Sequence, residues 1–338
     1  MMKTAHLSAL ALALIGGSAH AGHFTFKDWE VACDNMRHCA AIGYQKEEAS
    51  NPVVLALGRE AGAATPVNAR LYPYTDDGAE VGPLTVQVGK ATMRGVRADE
   101  QLTPEQVTKL LALLLNADSA KVSDGKRSWI LSLAGMKAAL LKLDDVQGRV
   151  GTPTALAMPG AKPASAVLPP LPAPEVKLLP PVPARKEDAK LLPLIVKTLK
   201  QGGCAEPVDI AESDRQNELY RLSAKQVLLV LECARGAYQS SFELWTASDK
   251  APYAPKPVKL PDPTGTNGGY LLNPGFDQGR LTSYGKGRGI GDCGNSAEWG
   301  WTATGFQLIE ATSGQLCRGV PGGFPLRDFT ATVISAGK

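Results

Sequence analysis

The side chains best suited to binding a ligand are basic and aromatic residues near the C-terminal end. They flank a glycine-rich stretch and include two tryptophans spaced as on one face of a strand: Arg280, Lys286, Arg288, Trp299, Trp301 and Arg318. Basic groups beside indole rings suit an anionic saccharide or a peptide, because indoles stack on sugar rings or on a cation. The same pattern also fits core tryptophans and glycines that only shape turns. The structural interpretation is the favoured one, and if one patch of the chain binds a ligand, we predict that it is this set.

A second chemical pattern is S-x-x-K, which pairs a serine nucleophile with a nearby amine in penicillin-binding enzymes. It occurs at Ser283 with Lys286 and at Ser123 with Lys126. The S-D-N and K-T-G elements that complete that motif set are absent from the sequence. A cell-wall hydrolase or transferase that uses Ser283 with Lys286 is therefore an alternative hypothesis and not the leading one.

Histidine and cysteine usage argues against hydrolytic and metal chemistry. Of four histidines, His6 and His20 fall in a predicted leader, which leaves only His23 and His38 as candidate bases. The cysteines contain no C-x-x-C pair of the kind that zinc sites use. The glycine-rich stretch from 284 to 291 also departs from the spacings of phosphate-binding loops. We predict no catalytic residue, no metal and no cofactor.

The first 21 residues have the pattern of a secretory signal peptide. Lys3 precedes an apolar run from Leu7 to Ile15, and Ala19-His20-Ala21 forms an A-x-A cleavage site. The apolar run is about half of the ~20 residues that cross a bilayer, and no later segment is long enough. We expect cleavage before Gly22, a periplasmic or secreted protein, and no membrane span after cleavage.

The cysteine count agrees with export. All six cysteines follow the predicted leader, and an oxidising compartment favours their pairing. Six cysteines allow 15 connectivities. The simplest is sequential, with the pairs Cys33–Cys39, Cys204–Cys233 and Cys293–Cys317.

Composition and proline content indicate the organisation of the chain. With 36 basic against 33 acidic residues, the formal charge of +3 excludes the basic footprint of a nucleic-acid binder. Nine prolines lie between Pro159 and Pro183, a density typical of extended polyproline II. We predict a semi-rigid spacer at 159–185 that separates an N-terminal domain at 22–158 from a C-terminal domain at 186–338.

Hydrophobic periodicity predicts an α+β protein rich in β-structure, with two domains that are each a mostly antiparallel sheet or sandwich with one or two helices. The segment from Phe24 to Cys33 alternates like a single half-buried strand. Thr103-Pro104-Glu105-Gln106 predicts a capped helix start. Further predicted strands and helices lie at 53–57, 84–88, 128–133, 135–147 (helix), 191–200 (helix), 227–231, 241–246, 270–272, 280–284, 298–302, 306–310 and 330–334.

Several of these motifs resemble a bacterial exported family known as domain of unknown function 1176. The likeness spans nearly the whole mature chain and rests on DWEVACDN from Asp28, LTPEQ from Leu102, QGRVGT from Gln147, KGRGIGDCG from Lys286 and EWGW from Glu298. The N-terminal half is also similar to the invasion-associated locus B family, through Trp29-x-x-x-Cys33 and the Leu133-Ala134-Gly135 stretch before a helix. That second likeness implies a β-rich periplasmic or envelope domain and supplies no catalytic residue.

These observations favour a non-catalytic binding or interaction protein of the bacterial envelope. Its partner would be an envelope protein or an anionic glycan. An inhibitor or immunity partner of an envelope hydrolase, with a rigid disulfide loop that plugs an active site, is the closest alternative.

Overall fold

The computed structural model describes residues 22–75, 77–199, 210–262 and 270–335. The predicted leader at 1–21 lies outside these ranges. Across the described residues there are five sheets and three α-helices, which confirms the predicted β-rich α+β class. None of the helices in these ranges is long and apolar enough to cross a bilayer.

The first sheet is a five-stranded antiparallel meander in the order of the chain. Its strands are β1 (Gly22–Phe26), β2 (Trp29–Cys33), β3 (Cys39–Tyr44), β4 (Val53–Arg59) and β5 (Val67–Pro73). The prediction of one strand across Phe24 to Cys33 was wrong, because the chain turns between Phe26 and Trp29, with Lys27 at a φ of 56°. The two halves pair with each other, so the apparent alternation belongs to a hairpin.

A second antiparallel sheet and two helices complete the N-terminal unit. The strands are β6 (Leu84–Val88), β7 (Ala91–Val96), β8 (Ser119–Ser123) and β9 (Ser128–Ser132), and the helices are α1 (Pro104–Leu114) and α2 (Met136–Val146). The predicted start of α1 is confirmed, since Thr103 and Gln106 form a capping box there. The buried faces of both helices join the two sheets in one hydrophobic core that includes Trp29, Leu55, Leu110 and Leu140.

The C-terminal part of the chain is built on two further sheets. The helix and strands that follow α2 are β10 (Glu175–Lys177), α3 (Leu191–Val196), β11 (Glu218–Arg221), β12 (Gln226–Arg235), β13 (Ser240–Ser248), β14 (Lys256–Pro257), β15 (Leu271–Leu272), β16 (Gly275–Asp277), β17 (Arg280–Lys286), β18 (Gly294–Thr302), β19 (Gly305–Gly314), β20 (Leu326–Thr330) and β21 (Thr332–Ile334). One sheet holds β11 to β15, and the other runs β16 to β20 as an antiparallel meander. Their facing sides form a core around Leu228, Leu244, Leu281 and Trp299.

The proline-rich segment contacts both units, and its role as a spacer stays a prediction. Its Val167 and Val176 are buried, and the amide of Leu168 donates to the carbonyl of Gln147 at 2.9 Å. Strand β10 pairs in parallel with β21, at the far end of the chain. The prolines allow an extended path, while Val167 and Val176 bury apolar surface along it. The domain boundaries at 158/159 and 185/186 stay predictions.

The two units also contact each other directly. Ile42 and Val54 of the first sheet pack against Val320 and Leu326 in a shared hydrophobic cluster. Polar contacts surround it: Arg327 Nε to Asp34 at 2.6 Å, Arg318 Nη2 to Asp28 at 2.9 Å and Asn35 Nδ2 to the Thr330 carbonyl at 2.9 Å.

Two of the three predicted disulfides are present, Cys33–Cys39 and Cys293–Cys317. The first joins β2 to β3 at a directly paired position. The third predicted pair lies outside the described residues, because Cys204 is not among them.

Candidate functional site

The two tryptophans of the predicted patch face the core. Trp299 is completely buried and donates its indole N–H to the Pro261 carbonyl at 2.8 Å. Trp301 is half-buried and packs on Phe306 with ring centroids 4.9 Å apart. They do lie on one face of β18, but this is the face that packs against the other C-terminal sheet. Trp299 is therefore corrected from a ligand contact to a core residue, as the structural interpretation proposed.

Each of the three arginines of the predicted patch is paired with a carboxylate. Arg280 pairs with Glu298 across the β17–β18 ladder, and Arg288 pairs with Asp292 within one loop. Arg318 is buried at the contact between the units, where it bonds Asp28 and Glu47. Arg318 consequently acts as a structural ion-pair residue and is corrected from the predicted patch.

Lys286 and Arg288 instead belong to an exposed aromatic surface around the glycine-rich loop between β17 and β18. We call the set Tyr238, Tyr284, Lys286, Arg288 and Ile290 the tyrosine patch. Tyr238 is 71% exposed, Ile290 62% and Tyr284 41%. A Cβ at Gly289 would lie 3.1 Å from the Tyr238 ring, and one at Gly291 would lie 3.3 Å from the Tyr284 hydroxyl.

The loop that carries Ile290 is held in place at both ends. The Gly287 amide donates to the Cys293 carbonyl at 2.8 Å, and the Gly291 amide to the Arg288 carbonyl at 2.9 Å. Asp292 is buried beneath the loop, where it accepts from Arg288 and from the Gly319 amide. Burial alone would raise the pKa of Asp292, but these hydrogen bonds lower it below its ordinary value. A charged Asp292 and the Cys293–Cys317 bridge thus fix the loop that presents Ile290.

Sequence reasoning missed Tyr238, Tyr284 and Ile290. The available signal was the run GKGRGIG, in which an isoleucine stands alone among glycines. Tyr238 had no such signal, because it lies in the β12–β13 turn and reaches the loop only in three dimensions.

The S-x-x-K serines are not arranged for nucleophilic attack. Ser283 and Lys286 are an odd number of positions apart on β17, so their side chains point to opposite faces of the sheet. The Ser283 hydroxyl donates to the Leu272 carbonyl at 2.9 Å, and that of Ser123 to the Arg127 carbonyl at 2.8 Å. Within the part of the chain that the structure describes, neither hydroxyl has the adjacent base that nucleophilic catalysis requires.

His23 lies in a buried ionic network where β1 meets the second unit. Its Nε2 is 3.0 Å from Glu30, and its Nδ1 is 2.9 Å from the Ser313 hydroxyl and 3.3 Å from Asp328. Burial by itself lowers the pKa of His23, but the hydrogen bonds to Asp328 and Glu30 outweigh burial and raise it to about 9. The imidazole is therefore protonated at neutral pH and cannot act as a general base there.

Asp292, Cys293 and Cys317 are the one group of potential metal ligands that converge among the described residues, within 4.8 Å of one another. Both sulfurs are in a disulfide, which leaves no thiolate to bind an ion. Asp292 is already held by Arg288. The group fits a structural bridge better than a metal centre.

These features define a sheet-rich α+β protein cross-linked by disulfides, with an exposed aromatic loop surface. The chain belongs to the family described as protein of unknown function (DUF1176), whose model matches residues 23–333. It is 30% identical to the uncharacterized protein YpfG of Escherichia coli (strain K12) over 318 residues, which are 86% of this chain and 88% of the relative. No solved structure matches the chain. The expected membership of this family is confirmed.

Proposed function

We propose that this protein is a non-catalytic binding or interaction protein of the bacterial envelope, exported to the periplasm or secreted, and that it contacts its partner through the tyrosine patch. The observation that carries the proposal is the exposure of Tyr238, Tyr284 and Ile290 around one fixed loop. Contiguous exposed apolar side chains are uncommon on a soluble monomer and mark interaction sites.

The composition of the patch favours a protein partner over a glycan. Tyrosine and arginine are enriched among residues that dominate binding energy, and Ile290 adds an exposed aliphatic side chain. A sugar ring stacks on a flat aromatic face, whereas an isoleucine at the tip of a loop suits an apolar pocket. An anionic glycan remains the alternative ligand, with Lys286 and Arg288 as its basic contacts.

The inhibitor or immunity hypothesis uses the same surface. A rigid loop binds with a smaller loss of conformational entropy than a flexible one, as insertion into an active site requires. The Arg288–Asp292 pair and the Cys293–Cys317 bridge provide that rigidity. Loss of such a protein from the cell should then increase sensitivity to one particular envelope hydrolase.

Affinity purification from a crosslinked envelope extract tests the proposal. We would compare wild type with Ile290→Ser, and use Ile130→Ser as the matched control, because Ile130 is also an exposed isoleucine, 50% accessible on β9 of the first unit. We expect one protein to be retained by wild type and by the control and to be reduced about tenfold in Ile290→Ser.

Each other outcome separates the alternatives. Retention of cell-wall saccharide without a protein, lost in Lys286→Ala, would establish the glycan interpretation. Equal retention of the protein by wild type and Ile290→Ser would exclude the tyrosine patch as its binding surface.

Cleavage before Gly22 and periplasmic location are checked by N-terminal sequencing of the protein from fractionated cells. The likeness of the first unit to invasion-associated locus B stays a hypothesis.

A further inference from the structure

The two disulfides that lie within the described residues differ in exposure. Cys33 and Cys39 are completely buried where they join β2 to β3. Cys293 and Cys317 instead line a cleft of about 520 Å³, and Cys317 is partly exposed while Cys293 is buried. A thiolate in solution can therefore reach the second bridge in the folded protein, whereas the first becomes accessible only when its sheet opens.

The two sulfurs of the cleft bridge are not equally accessible. The Sγ atom of Cys293 packs against Gly287, since a Cβ at that position would lie 2.6 Å from it. Cys317 follows the exposed Gln315 by two positions, on the stretch of chain that leaves β19. Exchange begins with contact between a thiolate and one sulfur, so the Sγ atom of Cys317 is the expected point of attack.

The cleft bridge connects the loop of the tyrosine patch to the contact between the two units. Cys293 lies at the end of that loop, directly before β18. Cys317 lies in the segment that docks on the first unit, where the Gln315 amide donates to Glu30 at 2.9 Å and Val320 is completely buried. The bridge therefore fixes the loop relative to a docked segment, and its opening removes that constraint.

The hydrophobic core of the C-terminal unit does not depend on this bridge. Among the described residues, neither Cys293 nor Cys317 belongs to the buried cluster around Trp299. Asp292 has a carboxylate oxygen within 4.8 Å of both sulfurs, but its charge is paired with Arg288 and adds little repulsion against an incoming thiolate. Opening of the bridge should therefore loosen the loop and leave both sheets folded.

We propose that the Cys293–Cys317 bridge is a site of thiol–disulfide exchange, at which a dithiol reductant opens the bridge in the folded protein and releases the loop of the tyrosine patch. One thiolate of the dithiol attacks the Sγ atom of Cys317, the S–S bond breaks, and Cys293 leaves as a thiolate that takes a proton from water. The second thiolate of the dithiol then attacks its own sulfur in the mixed disulfide and releases Cys317. The protein bridge gains two electrons, and the dithiol is oxidised to a disulfide.

Selective reduction of the folded, oxidised protein tests the exchange. The exported protein would be treated with dithiothreitol for increasing times, and its free thiols would be blocked with N-ethylmaleimide and assigned by peptide mass spectrometry. We expect Cys293 and Cys317 to be labelled at least about tenfold faster than Cys33 and Cys39. The buried bridge is the internal control, because reduction through global unfolding would open both bridges at the same rate. Unfolding in urea should accordingly remove the difference.

Limited proteolysis with trypsin tests the release of the loop, because Arg288 is a cleavage site within it. Protein that is reduced and blocked at Cys293 and Cys317 should be cleaved after Arg288 at least about fivefold faster than oxidised protein. Cleavage after Lys126, which is exposed in the turn between β8 and β9 of the first unit, should not change. The proposal is overturned if both bridges open at equal rates, if neither opens before the protein unfolds, or if cleavage after Arg288 is the same in both states.

Discussion

Replacement of His23 by glutamine should remove a pH-dependent part of the stability of this protein. The pKa of His23 is raised to about 9 in the folded chain, against 6.5 for an ordinary histidine. A raised folded pKa stabilises the folded state fully below 6.5, and this contribution disappears as the pH rises through 9. With a pKa of about 9 in the folded chain and 6.5 in the unfolded chain, the free energy of unfolding should decrease by about 2 kcal/mol between about pH 7 and about pH 9.5.

Urea unfolding at the two pH values measures this loss. The free energy of unfolding of wild type should fall by about 2 kcal/mol more than that of His23→Gln. His38→Gln is the matched control, because burial and the charge of Arg327 lower the pKa of His38, away from this pH range. Parallel pH dependence in wild type and His23→Gln would refute the assignment of a charged, ion-paired His23.

Three further predictions concern the C-terminal unit. Trp299→Ala should reduce the free energy of unfolding by about 3–5 kcal/mol, measured by circular dichroism, because the indole is fully buried; a change below about 1 kcal/mol would contradict that placement. Ser283 should not be labelled by an acylating probe in the folded protein, and labelling seen by mass spectrometry would restore the hydrolase hypothesis. Joint replacement of Cys293 and Cys317 by alanine should destabilise the protein by about 3 kcal/mol and weaken partner retention, and unchanged retention would mean that the bridge does not organise the loop.

Local features of the fold could be predicted from the sequence with good accuracy. The strand at Leu84–Val88 begins and ends where expected, and α1 begins at Pro104 behind its capping box. Strands β3, β5, β7 and β8 were not predicted. In β3, Ala, Ile and Gly are nearly all buried, so the segment does not show the alternation of a half-exposed strand.

The candidate site shows the limit of sequence reasoning more clearly. Basic and aromatic residues around the glycine-rich loop were singled out from the sequence, and Lys286 and Arg288 do lie on an exposed surface there. Which aromatic rings accompany them was decided by the packing of two sheets. Trp299 and Trp301 face the opposing sheet, whereas Tyr238 arrives from a turn that is distant in the chain.

The sequence by itself determined the class of the protein and its family, because periodicity, capping residues and short motifs act over a few residues. The tertiary structure decided what is buried and what is paired. His23 meets Asp328 across 305 positions of the chain, and Arg318 meets Asp28 across 290. Side chains that far apart carry no common pattern in the sequence, since their pairing depends on how the folded units dock.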